Sequence, residues 1–157
     1  MRKLVDIDNV TLEDRILRWI KRIRRDFPHS FGYNIPCKLI SCDAAKQETV
    51  FRFHTVAEMS NPRSVTHGGM LALMMDWSMG ITSRTVLDYN QTPTVDMQIQ
   101  YLSPVPLDAD LYVRTTIRKA GKSVAFLTAV AWTEDENNPL TMASGVYRLH
   151  EAGVQLD

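Results

Sequence analysis

Residues 67–87 read HGGMLALMMDWSMGITSRTVL. From Gly69 to about Leu87, apolar side chains would occupy nearly every face of a helix. They are Met70, Leu71, Leu73, Met74, Met75, Trp77, Met79 and Ile81. A helix of this kind is buried inside a protein rather than lying on its surface. Asp76 in its middle and the polar residues soon after exclude a membrane span. The stretch therefore predicts one buried central helix.

Six other stretches have the pattern of β-strands. The clearest is 94–101, TVDMQIQY, in which polar and apolar residues alternate strictly. The others are 37–43, 48–57, 110–119, 123–133 and 140–149. The connections 119–122 and 135–139 have the length of hairpin turns, so the last three strands are predicted to be antiparallel neighbours.

A second helix is predicted before the strands, over residues 11–27. Thr11 and Asp14 resemble a capping box at its start. Apolar residues form one stripe along it, and arginines and lysines fill the other face. The apolar residues are Leu12, Ile16, Trp19, Ile20, Ile23 and Phe27. The basic face suggests nucleic-acid or membrane binding, but acidic residues elsewhere balance the charge, which favours a solvated face on a packed helix.

The predicted order of elements is one helix, two strands, the buried helix and four strands. An antiparallel sheet wrapped around the central helix is the simplest way to bury it, which gives an α+β fold. A chain of 157 residues fits one domain. We expect a single domain over 1–157, with residues 1–30 as an N-terminal helical extension and 35–150 as the core.

The composition excludes several classes of protein. The formal net charge is zero, which argues against a nucleic-acid partner and weakly favours self-association. No apolar run follows the N-terminus as it would in a secretory signal. No window approaches the roughly twenty apolar residues of a membrane span, so no membrane insertion is expected.

Cys37 and Cys42 are five positions apart in a predicted strand. The odd spacing predicts that they lie on opposite faces, where they could bridge only if the strand bent. Two buried free thiols in a reducing compartment are favoured instead, which predicts a cytoplasmic protein.

The first candidate site is His67-Gly68-Gly69, at the junction between a loop and the central helix. Two glycines let the backbone approach a ligand closely. The first N–H groups of a helix have no partner within it, so they can donate to an oxyanion. A tight turn alone would also explain the motif.

Asp76 favours a functional site over a tight turn alone. An unpaired carboxylate in an apolar helix costs several kcal/mol and is usually paired with a partner or has a raised pKa. A carboxylate and free N–H donors are the groups that catalyse acyl transfer, in which a base or nucleophile acts beside an oxyanion site.

Helix geometry separates these two groups. His67 and Asp76 are nine positions apart, which is half a turn off in direction and about 13 Å along the axis. One helix therefore cannot aim both groups at the same atom. If they cooperate, the second comes from another copy, and a two-fold dimer with antiparallel helices would create two such shared sites.

The spacing Asn61-x5-His67-Gly68-Gly69-x6-Asp76 resembles the signature of the hotdog-fold acyl-CoA thioesterases, in the branch similar to phenylacetyl-CoA thioesterase and its eukaryotic mitochondrial relatives. The resemblance covers about residues 48–149. It continues through Val95-Asp96-Met97, Tyr101-Leu102-Ser103-Pro104 and Lys119-Ala120-Gly121-Lys122-Ser123-Val124-Ala125-Phe126.

The resemblance implies a hotdog fold and hydrolysis of a small-to-medium or aryl acyl-CoA. Asp76 would be general base or nucleophile, the Gly69 N–H would bind the thioester oxygen, and His67 would shape that turn. Asn61 would orient water or the thioester, and Thr94 would lie beside Asp76 of the partner chain. The implied assembly is a homodimer or a dimer of dimers. No cofactor is implied beyond coenzyme A as part of the substrate.

Further residues would contact the substrate. Gly68 would lie against it at the turn, and Lys119 and Lys122 would lie near the nucleotide of CoA. Trp77 is bulkier than the small residues many relatives use there, so it would narrow the acyl pocket. Met70, Met74, Met75 and Met79 could form an adaptable apolar wall, although plain core packing explains at least half of them better.

Three alternatives remain open. A hotdog dehydratase or enoyl-CoA hydratase also uses a carboxylate on the central helix, but pairs it with a histidine in a different local pattern. A non-catalytic acyl-CoA-binding module would gain nothing from Asp76 in an apolar tunnel. Metal catalysis is disfavoured, because the four histidines show no spacing typical of metal ligands. They are His29, His54, His67 and His150.

Overall fold

The computed structural model describes residues 7–88 and 91–150, which form two long helices and six strands. The elements are α1 (Asn9–Asp26), β1 (Cys37–Asp43), β2 (Glu48–His54), a short 3₁₀ helix (Ala57–Met59), α2 (Gly68–Leu87), β3 (Thr94–Tyr101), β4 (Asp110–Ala120), β5 (Val124–Trp132) and β6 (Thr141–Arg148). The strands form one sheet in the order β1-β2-β4-β5-β6-β3. All neighbours are antiparallel, which confirms the predicted α+β architecture.

The helix α2 lies at the centre of the fold, as its composition predicts. Twelve of its twenty residues are buried, and it contacts every strand from β2 to β6 as well as α1. A hydroxyl pair joins it to the sheet, since Thr49 Oγ1 lies 2.6 Å from Thr82 Oγ1 in the buried interior. Trp77 packs edge-on against Phe51 and Phe53, with ring centroids 5.1 and 5.6 Å apart.

The helix α1 packs against α2 and β1. Its buried residues are Leu12, Ile16, Ile20 and Ile23, so four of the six residues in the predicted apolar stripe are covered. The predicted capping box is wrong. Asp8 is the N-cap and its Oδ1 accepts from Thr11 N–H at 2.7 Å, whereas Asp14 accepts from Arg18 Nε at 2.8 Å. An extended residue that precedes the helix satisfies its free N–H groups better than one already inside it.

The strand β2 ends earlier than predicted. Its partner β4 begins at Asp110, which lies opposite His54. Thr55 N–H still donates to the Ala109 carbonyl at 2.9 Å, but the Thr55 carbonyl accepts from Asp108 N–H at 3.0 Å, so the regular register ends there. Beyond it Thr55 Oγ1 donates to the Pro106 carbonyl at 2.9 Å, and the chain turns into the 3₁₀ helix. The predicted strand over 48–57 is therefore shortened to Glu48–His54.

A β-bulge in β1 overturns the predicted placement of the two cysteines. The register shifts between Leu39 and Ser41, so that Cys37 pairs with Phe53 and Cys42 with Thr49. Phe53 and Thr49 are both fully buried and lie on one face of β2, and cross-strand partners share a face. Both cysteines thus face inward. They are free and half-buried rather than fully buried.

Within residues 7–88 and 91–150, no helix combines the length and the apolar character needed to cross a membrane. The predicted division into an N-terminal extension over 1–30 and a core over 35–150 stays a prediction. The hydrophobic cluster nevertheless includes residues of both, since Leu12 and Ile16 of α1 belong to it together with Met74 of α2.

The packing of Trp77 predicts the effect of a single substitution. Phe53→Ala removes one of its two edge-on partners and leaves a cavity in a fully buried position. We expect a loss of about 3–5 kcal/mol in the free energy of unfolding, measured by chemical denaturation. Phe126→Ala, at a position 44% exposed, is the control and should cost much less. Equal losses would contradict a core centred on Trp77.

Candidate active site

Asp76 is half-buried in the middle of α2 and lines a groove of about 670 Å³. The groove runs along α2 and is closed on its other side by α1 and the turn that follows it. Apolar and charged residues share its walls. They include Trp19, Ile23, Phe27, Leu73, Trp77 and Ile81 together with Arg22, Asp26, Arg84 and Thr94. The carboxylate is therefore not enclosed in the core but reaches space that a ligand can enter.

Two hydroxyl groups hold one oxygen of the carboxylate. Thr94 donates to Asp76 Oδ1 at 2.7 Å, and Tyr147 donates to the same atom at 2.8 Å. Within the described part of the chain, Oδ2 accepts no hydrogen bond. One oxygen is thus fixed, and the other is left for a further donor such as water.

A β-bulge brings the two hydroxyls together. In the ladder between β3 and β6, Thr94 pairs with Tyr147 and Asp96 with Val146, so Val95 is the extra residue. Without the bulge, Val95 would pair with Tyr147 and point towards α2. Instead Val95 is 62% exposed, and Thr94 points towards Asp76 of its own chain. This corrects the expectation that Thr94 lies beside Asp76 of a partner chain.

Tyr147 is fully buried beneath α2. Burial and the nearby Asp76 carboxylate raise the pKa of Tyr147 far above its ordinary value, so the phenol stays protonated and keeps donating. Its ring occupies space left by Gly145, where an added Cβ would lie 2.8 Å from Tyr147 Cε2. The glycine therefore has a steric role in placing the phenol against Asp76.

This steric role predicts the effect of Gly145→Ala. The new methyl must displace the Tyr147 ring or Met79, and overpacking of this kind lowers the free energy of unfolding by about 1–3 kcal/mol. Gly80→Ala is a matched control, because its Cβ would lie 3.8 Å from the other edge of the same ring. In a helix interior the control should be neutral or stabilising. Equal destabilisation by both, in chemical denaturation, would contradict the packing argument.

A second hollow lies at the N-terminus of α2. It measures about 320 Å³ and is lined by Asn61, Arg63, Thr66, Gly68, Leu71 and Tyr101, among others. The Tyr101 ring packs on Gly68, where a Cβ would lie 3.2 Å from Tyr101 Cζ, and its hydroxyl donates to the Gly68 carbonyl at 2.9 Å. Gly68 thus permits a close approach of the strand β3 to the helix start.

His67 is the N-cap of α2, and its Nδ1 accepts from Gly69 N–H at 2.9 Å. The N–H predicted to bind a thioester oxygen is therefore bonded to the side chain predicted to shape the turn. A ligand oxygen would have to share this donor or replace the imidazole. His67 and Gly69 are both exposed, so the space for such an exchange exists.

Asn61 orders the loop before α2 through its side chain. Its Oδ1 accepts from Arg63 N–H at 2.8 Å and from Val65 N–H at 3.4 Å, which makes an Asx-type turn. The amide nitrogen of the same side chain makes no hydrogen bond within the described residues. Since Asn61 also lines the second hollow, this donor is available at its wall.

The pattern of the thioesterase superfamily matches residues 64–139. The matched segment contains Asp76 and Thr94, which line the groove, and His67 and Gly69 at the start of α2. Over these residues the chain is similar to the thioesterase superfamily. This match is in line with the predicted enzyme class, a thioester hydrolase, which the relative described next confirms.

The chain is similar to an acyl-coenzyme A thioesterase in sequence and to several solved structures in fold. Human acyl-coenzyme A thioesterase 13 is 28% identical over 116 residues, which cover 72% of this chain and 79% of the relative. The PaaI protein of the E. coli phenylacetic acid degradation operon matches with a TM-score of 0.71 at 15% identity, over 88% of this chain and 96% of that one. A hypothetical thioesterase from Streptococcus pneumoniae, solved with coenzyme A, matches with a TM-score of 0.66 at 18% identity, over 74% and 90%. These structures confirm the predicted hotdog fold.

The remaining residues predicted for a thioesterase site are dispersed. Trp77 lines the groove, whereas Met70 packs against the core and lines neither hollow. Met74, Met75 and Met79 are fully buried, so core packing explains them. Lys119 and Lys122 are exposed and line neither hollow. In residues 7–88 and 91–150 no group of three or more His, Cys, Asp or Glu is arranged to hold a metal.

Two residues that line the groove were not identified from the sequence. Tyr147 lies in a recognised strand, and the period-2 pattern turns it inward, but nothing in the sequence pairs it with Asp76. Arg84 lies eight positions after Asp76 and could have been placed on the same side of the helix from that spacing alone.

Proposed function

We propose that this chain hydrolyses the thioester bond of an acyl-CoA, with Asp76 as general base or nucleophile. The observation that carries the proposal is the Asp76 carboxylate, which opens into a partly apolar groove with one oxygen fixed by Thr94 and Tyr147. Two hydroxyl donors orient the carboxylate, and its second oxygen is left for the reaction. The match to the thioesterase superfamily over residues 64–139 supports the same chemistry.

In the general-base form, Asp76 Oδ2 takes a proton from water as the water oxygen bonds to the thioester carbon. The carbonyl oxygen becomes an oxyanion. The carbon–sulfur bond then breaks, the carboxylic acid forms, and the thiolate of CoA receives the proton from Asp76. In the nucleophilic form, Oδ2 bonds to the thioester carbon, the carbon–sulfur bond breaks and CoA leaves as a thiolate. Water then cleaves the resulting anhydride, which restores the Asp76 carboxylate, forms the carboxylic acid and releases a proton that the thiolate takes up. Neither route assigns a role to a metal or to a separate cofactor.

The oxyanion needs donors, and we assign them to the start of α2. Gly69 N–H is the donor proposed from the sequence, and Gly68 precedes it at the same turn. His67 must yield this N–H, at least in part, when the thioester oxygen arrives. The free amide nitrogen of Asn61 supports a role beside them, as a donor to water or to the thioester.

We further propose a homodimer in which each site combines Asp76 of one chain with the helix start of the other. The two hollows of one chain are separate, which supports the distance argument from helix geometry. The edge strand β3 supports the dimer, since it runs from Thr94 beside Asp76 to Tyr101 beside Gly68. If β3 pairs with its own copy in antiparallel fashion, these two ends meet. A dimer of dimers would leave this arrangement intact.

We propose that the substrate is a thioester of coenzyme A. The S. pneumoniae thioesterase, whose structure was solved with coenzyme A, supports this proposal. Lys119 and Lys122 would contact the CoA phosphates only if a partner chain or CoA itself extends to their hairpin. The groove walls suit a small-to-medium or aryl acyl group, with Trp77 limiting its width. The free thiols Cys37 and Cys42 support a reducing compartment, in line with a cytoplasmic location, and burial raises the pKa of Cys37 to about 11.

The proposal predicts the effect of Asp76→Asn. The amide keeps the size of the side chain but cannot take a proton, so we expect kcat for thiol release to fall by about 10²–10⁴-fold. Tyr147→Phe and Thr94→Val each remove one of the two orienting donors and should lower kcat much less. Arg118→Met, on the exposed end of β4, is the control and should leave the rate unchanged.

The substrate panel for this assay runs from short to long and aryl acyl-CoA, with free thiol as the readout. Tight binding without thiol release from any of them would favour the non-catalytic binding module. Hydration of an enoyl-CoA without thiol release would favour the dehydratase. Label from ¹⁸O-water that enters the Asp76 carboxylate in a single turnover would identify Asp76 as a nucleophile.

The shared site predicts that two inactive variants can restore activity when mixed. Asn61→Asp keeps the oxygen that orders the loop but removes the amide donor, and Asp76→Ala removes the carboxylate. In a mixed dimer one site carries both changes and the other carries neither. After unfolding and refolding together, an equal mixture should recover about one quarter of wild-type activity, because half of the dimers are mixed. No recovery would contradict a shared site, and full activity of Asn61→Asp alone would contradict the role of Asn61.

A further inference from the structure

Asp76, Gly80 and Arg84 follow one another at intervals of four along α2, so they lie on one side of the helix. All three line the same groove. Arg84 is eight residues beyond Asp76, which places its Cα about 12 Å further along the axis. A helical side chain points back towards the N-terminus, so the guanidinium of Arg84 lies closer to Asp76 along the axis than its Cα does. The groove thus has a carboxylate at one point and a cation further along.

Arg84 is half-buried between α2 and α1. Its guanidinium carbon lies 4.5 Å from the centre of the Trp19 ring, in a cation–π arrangement. Burial and the nearby Arg22 lower the pKa of Arg84 to about 10, which is still far above neutral pH. The side chain is therefore a cation that the protein holds at the groove wall.

The carboxylates that line the groove have other partners. Asp76 is bonded to Thr94 and Tyr147. Asp26 accepts from Arg25 Nε at 2.8 Å and lies 3.5 Å from Arg22 Nε. Among the residues that the structure describes, Arg84 makes no salt bridge and no side-chain hydrogen bond. A half-buried charge of this kind usually has an anionic partner.

We propose that Arg84 binds an anionic group at the far end of the acyl chain, so that the substrate is an acyl-CoA whose chain ends in a carboxylate. This inference rests on the proposed thioester hydrolysis at Asp76. The planar guanidinium matches a carboxylate in a two-pronged hydrogen bond. Leu73, Trp77 and Ile81 form an apolar wall in the same groove, which suits the methylene groups between the two ends.

The phosphates of CoA are the other source of an anion. They belong to the sulfur side of the thioester, whereas the acyl chain extends from the opposite side of the carbon that Asp76 attacks. The apolar wall of Leu73, Trp77 and Ile81 fits an acyl chain better than a nucleotide. The terminal carboxylate is therefore the source that the groove favours.

The experiment compares adipyl-CoA with hexanoyl-CoA, which have the same number of carbons and differ in the terminal carboxylate. Wild type should show kcat/KM roughly ten- to hundredfold higher for adipyl-CoA, as expected for a hydrogen bond between charged groups. Arg84→Met should lose this preference and keep the rate for hexanoyl-CoA, since methionine still packs on Trp19. Arg84→Lys should keep part of the preference, and Arg118→Met should keep all of it.

Circular dichroism and melting curves establish that each variant is folded. Wild type without a preference across succinyl-, glutaryl-, adipyl- and suberyl-CoA, each against its neutral counterpart, would overturn the proposal while hydrolysis stands. A rise in KM for both substrates in Arg84→Met would assign the anion to CoA and also overturn it. If neither substrate is cleaved, the proposed hydrolysis fails.

The role of Arg84 can then be tested by binding alone. Calorimetry compares the affinities of adipyl-CoA and hexanoyl-CoA for wild type and Arg84→Met, and equal affinities in wild type overturn the proposal.

Discussion

The apolar surface of α2 has to be removed from water on every side, and the other elements are arranged around that requirement. Each fully buried Leu, Ile or Met contributes about 1.5–3 kcal/mol relative to an exposed one. The sheet covers most of the helix, and α1 covers part of the side that the sheet leaves open. This arrangement fixes one face of each central strand as apolar. It also leaves the groove that contains Asp76, along the line where α1 meets α2 beside the start of β3.

A carboxylate in such a helix needs polar partners that the apolar core does not contain. Tyr147 supplies one from beneath the helix, where its phenol is buried and its pKa is raised, so it donates at all physiological pH values. Thr94 supplies the other from the edge strand. Both donors act on Oδ1, which fixes the orientation of Asp76, and Oδ2 accepts no hydrogen bond within the described residues. The Asp76 side chain is thereby charged, held in one orientation and accessible from the groove.

The order of the helices and strands and the position of Asp76 could be predicted from the sequence, because side-chain periodicity indicates which faces are buried. The strand Thr94–Tyr101 was predicted with its observed bounds, and α2 differs by one residue at its start. Asp76 could be singled out because a carboxylate is unexpected among apolar residues. The bulges at Ile40 and Val95 could not be predicted, since an extra residue leaves the alternation on either side unchanged. For that reason the faces of the cysteines were assigned wrongly. The contact between Thr94 and Asp76 of the same chain was missed because the family resemblance had implied the Asp76 of a partner.

The bulge in β3 separates two tasks that a regular strand could not perform together. It changes the phase of the strand at its first residue only, so Thr94 serves the carboxylate while the residues after Val95 keep the alternation that an exposed sheet edge requires. The pairing register at this point is therefore under tighter constraint than the identity of the bulged residue. Many side chains could occupy the bulged position, whereas a regular ladder that paired Val95 with Tyr147 would turn the hydroxyl of Thr94 away from Asp76 and put an apolar side chain in its place.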